Sequence, residues 1–118
     1  MYEEMKTLLE ALEKSEKKYD IAKITEAYNY ADSLHEGQFR LSGEPYISHP
    51  VAVAKIVAEL GLDTDSICAA LLHDTVEDCA DKTNLDIITK MFGSEVAMLV
   101  DGLTKIIQVQ VADKEEAH

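Results

Sequence analysis

One group of residues has types and spacing suited to metal and acid–base chemistry. His73 and Asp74 end an apolar run, and Glu77 and Asp78 follow one helical turn later. Residues four apart are neighbours on a helix, so Glu77 lies beside His73 and Asp78 beside Asp74. Imidazole and carboxylate together bind divalent manganese, iron or zinc. A carboxylate that is left off the metal can serve as a general base.

A polar helix end is the competing interpretation of the same four residues. In that arrangement His73 is hydrogen-bonded and the carboxylates are solvated, and the spacing alone does not favour metal binding over it. His49 changes this balance, because it precedes Pro50 at a predicted helix start, where the proline restricts the backbone of the residue before it. Alone, His49 would be read as a surface histidine. Together with His73, it supplies a ligand that one helix lacks.

Two amphipathic helices and a long loop precede the histidines. Apolar residues recur at helical spacing over residues 2–17 and again from Ile21 to about Leu34, where Asp20 is a suitable cap. The periodicity fails from His35 to Ser48, a segment rich in glycine and proline. Loops of this length in a small domain are usually functional or disordered. Its aromatic, arginine and isoleucine residues argue for order, so we interpret it as a binding loop.

The remaining pattern is also helical. Pro50 and Gly61 bracket an apolar-rich helix, and the six apolar residues Ile67 to Leu72 predict a helix buried nearly all round. Thr83 is the predicted cap of a short helix that ends at Gly93. A last helix starts at Ser94 and extends to Ile107, before a frayed tail at residues 111–118. The predicted fold class is all-α, a bundle of five to six helices.

Composition and charge indicate one globular domain and argue against nucleic acid and membrane as partners. The 118 residues are 47% apolar and 29% charged, as in ordinary folded domains. The net charge of -12 repels nucleic acid and anionic lipid, and no apolar run approaches the ~20 residues of a membrane span. We therefore expect a cytoplasmic protein with neither partner. Seven acids and one base fall within residues 62–86, which suits either a bound cation or solvated helix ends.

Three segments resemble the N-terminal hydrolase domain of the RelA/SpoT alarmone synthetase/hydrolase family, including its stand-alone small hydrolases. They read QFRLSGEPYISHPVAVAKIVAELGLD, AALLHDTVEDC and MFGSEVAMLVDGLTKI. The combination of RxSGEPYxxHP, HDxxED and DGxTK carries the resemblance. It implies an all-helical HD-type fold. It also implies removal of pyrophosphate from the 3′ position of guanosine tetra- or pentaphosphate, usually with manganese.

The resemblance also implies roles for single residues. The metal ligands would be His49, His73 and Asp74. The pair that activates water would be Glu77 and Asp78. The residues facing the nucleotide would be Arg40 and Ser42, with the guanidinium as a planar cation for base stacking or for phosphate. A solvated loop arginine is the alternative for Arg40.

Two departures from the family pattern shape the expectations. Leu41 stands where family members often have a basic residue, which removes a phosphate contact. The sequence also stops at His118, before the helix that carries the family's fourth metal ligand, an aspartate, and a substrate-binding asparagine. We therefore expect residues 1–118 to be one hydrolase domain without its C-terminal helices, with weak turnover. Apolar surface uncovered on the DGLTKII helix would favour a homo-oligomer.

Two other functions fit the same residues. An HD phosphohydrolase of another nucleotide would share these motifs, because pocket residues outside them select the substrate. A catalytically incompetent nucleotide-binding or regulatory module would keep the fold and bind a partner through its helices.

Overall fold

The computed structural model describes residues 1–103, and they are helical as predicted. The helices are α1 Glu3–Lys14, α2 Ile21–Leu34, α3 Ser48–Glu59, α4 Thr64–Leu72, α5 Thr75–Asp78 and α6 Leu85–Phe92. Residues 94–103 form a further helical segment, α7. Within this part of the chain, the one β feature is an isolated bridge between Phe39 and Pro45. The predicted all-α fold is confirmed.

Helix α4 is the centre of the core. All six residues from Ile67 to Leu72 have no exposed surface, as the unbroken apolar run predicted. The helix packs against both α2 and α3, and α1 adds Met5, Leu8 and Leu12 to the same cluster. Since α4 is enclosed, the chain first reaches partly exposed positions just beyond its C-terminal end.

The helix ends agree with the sequence in part. Asp20 caps α2 by accepting a hydrogen bond from the Lys23 backbone N–H at 3.0 Å. Helix α1 is shorter than the predicted range 2–17, because Ser15 has an extended backbone and ends it. Gly61 follows α3 with a φ of 80°. That left-handed conformation favours glycine and turns the chain toward α4.

The predicted cap of α6 is wrong by one residue. Asn84, not Thr83, is the N-cap, and its side-chain oxygen accepts from the Ile87 backbone N–H at 2.9 Å. Thr83 is buried, and its hydroxyl oxygen accepts a hydrogen bond from the Tyr30 hydroxyl at 2.8 Å. The Thr83 side chain therefore makes a tertiary contact, although local capping preference predicted that it would cap α6.

The last helix starts at residue 94, as predicted. Its predicted continuation to Ile107 and the predicted frayed tail at residues 111–118 lie outside the described residues. Among the helices of residues 1–103, none combines the length and the apolar character needed to cross a membrane.

We expect Asn84→Ala to lower the free energy of unfolding by about 1 kcal/mol, because the Ile87 N–H loses its cap. Urea unfolding followed by circular dichroism measures this. Asn29→Ala is the matched control, because Asn29 is exposed within α2 and caps nothing. Equal losses in the two variants would contradict the assigned cap.

Candidate metal centre

Two helices that are separate in sequence bring the candidate ligands together. His49 lies in the first turn of α3, just after the turn in which its backbone N–H donates to the Tyr46 carbonyl at 3.1 Å. His73 and Asp74 follow the last residue of α4. Since α3 and α4 pack against each other, the start of one helix faces the end of the other.

The three predicted ligands form a compact cluster. Asp74 bridges the histidines: its Oδ2 is 3.2 Å from His49 Nε2, and its Oδ1 is 3.0 Å from His73 Nε2. One ligand atom from each residue lies within 4.8 Å of the others, the one such group of three or more that residues 1–103 contain. His73 is buried, while His49 and Asp74 are partly exposed. The cluster is therefore reachable from solvent on one side.

The donor chemistry of this cluster fits a divalent metal. His73 Nδ1 lies 2.6 Å from the Ala70 carbonyl oxygen, so the ring donates its Nδ1–H there. In the neutral ring the lone pair is then on Nε2, the nitrogen that faces Asp74, whereas the protonated ring donates a hydrogen bond from Nε2 to the carboxylate. A second hydrogen bond of this kind fixes the tautomer and orientation of metal-binding histidines. Two imidazoles and one carboxylate suit manganese, iron or zinc.

Burial and mutual charge shift the pKa values of the cluster. For His73, burial works against protonation, but the hydrogen bond and charge of Asp74 outweigh it and raise the pKa. For Asp74, burial alone would raise the pKa, but the hydrogen bond from His73 and the charges of both histidines outweigh burial and hold the pKa below its usual value. Burial lowers the pKa of His49. The carboxylate thus stays ionised, and the cluster attracts positive charge.

The predicted helical neighbours of His73 and Asp74 lie on a separate short helix. Helix α4 ends at Leu72, whose carbonyl accepts from the Thr75 hydroxyl at 2.7 Å. The Asp78 N–H nevertheless donates to the Asp74 carbonyl at 2.9 Å, which keeps the expected four-residue proximity. Glu77 and Asp78 are both exposed on α5.

Tyr46 is the site residue that sequence reasoning missed. Its hydroxyl donates to Asp78 Oδ2 at 2.6 Å and lies 3.3 Å from Asp74 Oδ2. Burial and the hydrogen bond to Asp78 raise the pKa of Tyr46, so the phenol keeps its proton. The available signal was its place three residues before His49, in the turn that leads into α3. Tyr46 thus joins the binding loop to both carboxylates.

Arg40 and Ser42 lie beside this cluster, on the tip of the loop. The tip is closed by a hydrogen bond from the Arg40 N–H to the Glu44 carbonyl at 2.8 Å. A cavity of about 600 Å³ is lined by Phe39, Arg40, Leu41, Ser42, Glu44 and Tyr46. The Arg40 charge contributes to lowering the pKa of His49. Tyr46 contacts the carboxylates and also lines the cavity, so cavity and cluster adjoin.

The described residues form an all-helical fold with a His-His-Asp cluster at the ends of two helices. Comparison with known families identifies the class of protein that has this arrangement. The sequence pattern of the HD-domain family matches residues 27–118. The chain belongs to the HD-domain family.

Curated relatives confirm the resemblance to RelA/SpoT proteins. A guanosine-3′,5′-bis(diphosphate) 3′-pyrophosphohydrolase of Vibrio cholerae is 51% identical over 98 residues, which is 83% of this chain and 14% of that protein. The bifunctional (p)ppGpp synthase/hydrolase SpoT of Escherichia coli is 49% identical over the same shares. A probable GTP pyrophosphokinase of Mycobacterium leprae is 46% identical over 101 residues, 86% of this chain and 13% of that protein. The chain thus spans a small part of each relative's length.

We expect His73→Ala to weaken Mn²⁺ binding by at least about tenfold, because the cluster loses its most rigidly held donor nitrogen. Isothermal titration calorimetry of the purified chain measures the dissociation constant. Leu12→Ala, a buried change in α1, controls for general destabilisation. Unchanged Mn²⁺ affinity in His73→Ala would contradict the assigned ligand.

Proposed function

We propose that this chain is a metal-dependent 3′-pyrophosphohydrolase of guanosine tetra- or pentaphosphate. The observation that carries the proposal is the adjoining pair of sites at one end of α4. One is the His49–His73–Asp74 cluster, and the other is the loop cavity that contains Arg40. Tyr46 touches both. A metal-assisted hydrolase needs this combination of ligands, base and anion-binding group in one place.

His49, His73 and Asp74 would hold the ion, and we propose manganese among the metals that the donor set suits. When bound, the ion supplies Lewis acidity, which makes water more acidic and neutralises charge on phosphate. The partial exposure of His49 and Asp74 leaves one side of the cluster open to substrate and water.

Asp78 and Glu77 are the proposed pair that orients and deprotonates the attacking water. The Tyr46 hydroxyl binds Asp78 Oδ2, so Oδ1 is the oxygen we assign to the water proton. Glu77 precedes it on the same exposed short helix. Water attacks phosphorus, the bond from phosphorus to the ribose 3′ oxygen breaks, and that oxygen takes a proton as pyrophosphate leaves.

Arg40 and Ser42 are the proposed nucleotide-binding residues. Arg40 is the single arginine of the sequence, in a chain whose net charge is -12. An anionic substrate therefore needs both Arg40 and the metal to offset repulsion. Leu41, fully exposed at the same tip, offers no charge for a second phosphate contact.

The relatives carry names for opposite reactions, pyrophosphohydrolase and GTP pyrophosphokinase. Because this chain spans only 13% to 14% of those proteins, their names alone do not select one activity. The hydrolase is favoured by the HD-family match and by a cluster whose donors suit a Lewis acid beside a general base. We propose a guanosine nucleotide as partner and the cytoplasm as location. Self-association stays a prediction.

The purified chain should release pyrophosphate from guanosine tetraphosphate only with Mn²⁺. We expect Glu77→Gln with Asp78→Asn to reduce the rate at least about 100-fold, because the water loses its proton acceptors. A coupled pyrophosphate assay with and without chelator measures this.

Glu95→Gln with Asp86→Asn is the control, because these exposed acids lie on α7 and α6. Turnover that survives the first pair of changes would refute the assigned base. Release of orthophosphate, or preference for another nucleotide, would favour the second enzyme function. Nucleotide binding without turnover would favour the binding module.

We expect Arg40→Ala to raise KM for guanosine tetraphosphate about tenfold or more, because the cavity loses a charge-assisted contact to the anion. The kcat should change less than KM, since Arg40 binds the nucleotide rather than the water. Steady-state kinetics at saturating Mn²⁺ separate the two constants. Lys14→Ala, a charge removed from the far end of α1, should change neither. An unchanged KM in Arg40→Ala would contradict the binding role and favour the interpretation of Arg40 as a solvated surface arginine.

A further inference from the structure

His35 is a buried histidine outside the metal cluster that packs against a residue of the site. His35 is 3% exposed and follows the last residue of α2. Its ring packs on the Tyr46 ring, with centroids 4.4 Å apart and planes inclined by 31°. No metal or nucleotide role in the proposed reaction uses it.

His35 contacts both the binding loop and the residue that follows the proposed base. Its Nδ1 is 3.1 Å from Gln38 Oε1 in the binding loop and 3.7 Å from the Cys79 sulfur. Cys79 directly follows Asp78. The imidazole therefore lies between the end of α2, the loop that holds Tyr46 and the end of α5.

The backbone around His35 also leads to Tyr46. The Gln38 N–H donates to the His35 carbonyl at 2.9 Å, and the Gln38 carbonyl accepts from the Tyr46 N–H at 3.0 Å. Thus these main-chain hydrogen bonds fix the backbone position of Tyr46, and the His35 ring restricts rotation of the Tyr46 side chain. The Tyr46 hydroxyl at the far end of that ring reaches Asp78 and Asp74.

The two ring nitrogens of His35 differ in their contacts. Its Nε2 is buried and has no hydrogen-bond partner among the described residues, which is unfavourable for a buried polar atom. Its Nδ1 has Gln38 as a neighbour. The contact of His35 that bears on the site is therefore the packing of its flat ring on Tyr46.

We propose that His35 is a positioning residue that acts through Tyr46 to hold Asp78 beside Asp74. The ring of His35 sets the orientation of the Tyr46 ring, and the Tyr46 hydroxyl sets the place of the Asp78 carboxylate. The inference rests on the proposed function, because Asp78 is the proposed base. Near-attack geometry of a base and its water governs rates steeply.

Two variants of similar size test the ring contact. His35→Phe keeps a flat ring against Tyr46, and His35→Leu fills the space without one. We expect His35→Leu to lower kcat about tenfold with little change in KM, and His35→Phe to stay within about threefold of the unmodified chain. Mn²⁺ affinity should be unchanged in both. Equal loss of kcat in the two variants would overturn the proposal.

A double-mutant cycle tests whether His35 acts through the tyrosine. Tyr46→Phe removes the hydroxyl that reaches Asp78, and we expect it also to lower kcat about tenfold. Adding His35→Leu to Tyr46→Phe should then cost less than about twofold more, because the route to Asp78 is already broken. Tyr28→Phe is the matched control, since it removes a hydroxyl that binds the Tyr2 N–H instead. Full additivity of the two losses would overturn the proposal.

A readout independent of turnover separates this inference from the proposed function. With the tyrosine Cζ atoms labelled with ¹³C, the Tyr46 signal is identified by its absence in Tyr46→Phe. We expect it to shift in His35→Leu and in Asp78→Asn and to stay in place in His35→Phe. A Tyr46 signal that is unmoved in His35→Leu would overturn the positioning role. Failure of the unmodified chain to release pyrophosphate would instead overturn the proposed function.

Discussion

The enclosure of α4 is the constraint on which the site depends. Its Cys68, Ala69 and Ala70 are small, so α2 and α3 can approach its backbone closely. No polar side chain can be accommodated along this helix without a partner. After the partly exposed first turn of α4, the next polar groups therefore appear where the helix ends, at His73 and Asp74. The buried His73 ring is paired with the Ala70 carbonyl of the same helix.

Asp74 is the electrostatic centre of that helix end. Its two oxygens face two histidine nitrogens, and the Tyr46 hydroxyl lies near one of them. The hydrogen bond and the charge of Asp74 outweigh burial and raise the pKa of His73, which favours its protonated form. A divalent cation would take the place of protons between the same atoms. The arrangement thus provides a local site for positive charge in a strongly acidic chain.

The loop between α2 and α3 is ordered by contacts with the same helix end. Its tip carries Arg40 into solvent, while its base is held by Tyr46 at the carboxylates and by His35 underneath. This division suits a binding loop, because the exposed tip can adapt to a ligand while its root stays fixed.

Relatives named for opposite reactions share the segment that matches this chain. That segment supplies one site, and the remaining length of those proteins lies outside the match.

Residues close in sequence were predictable, because helical periodicity and capping are local effects. The all-α fold, the buried α4, the Asp20 cap and the pairing of His73 with Asp74 needed only short-range patterns and the family motifs. Tertiary packing decided the rest. It set the contact between His49 and Asp74, two residues that the family motifs had assigned to one site. It moved the α6 cap to Asn84, because Thr83 pairs with Tyr30, and it brought Tyr46 to Asp78. These contacts join residues tens of positions apart, and only the crossing of α2, α3 and α4 determines which of them meet.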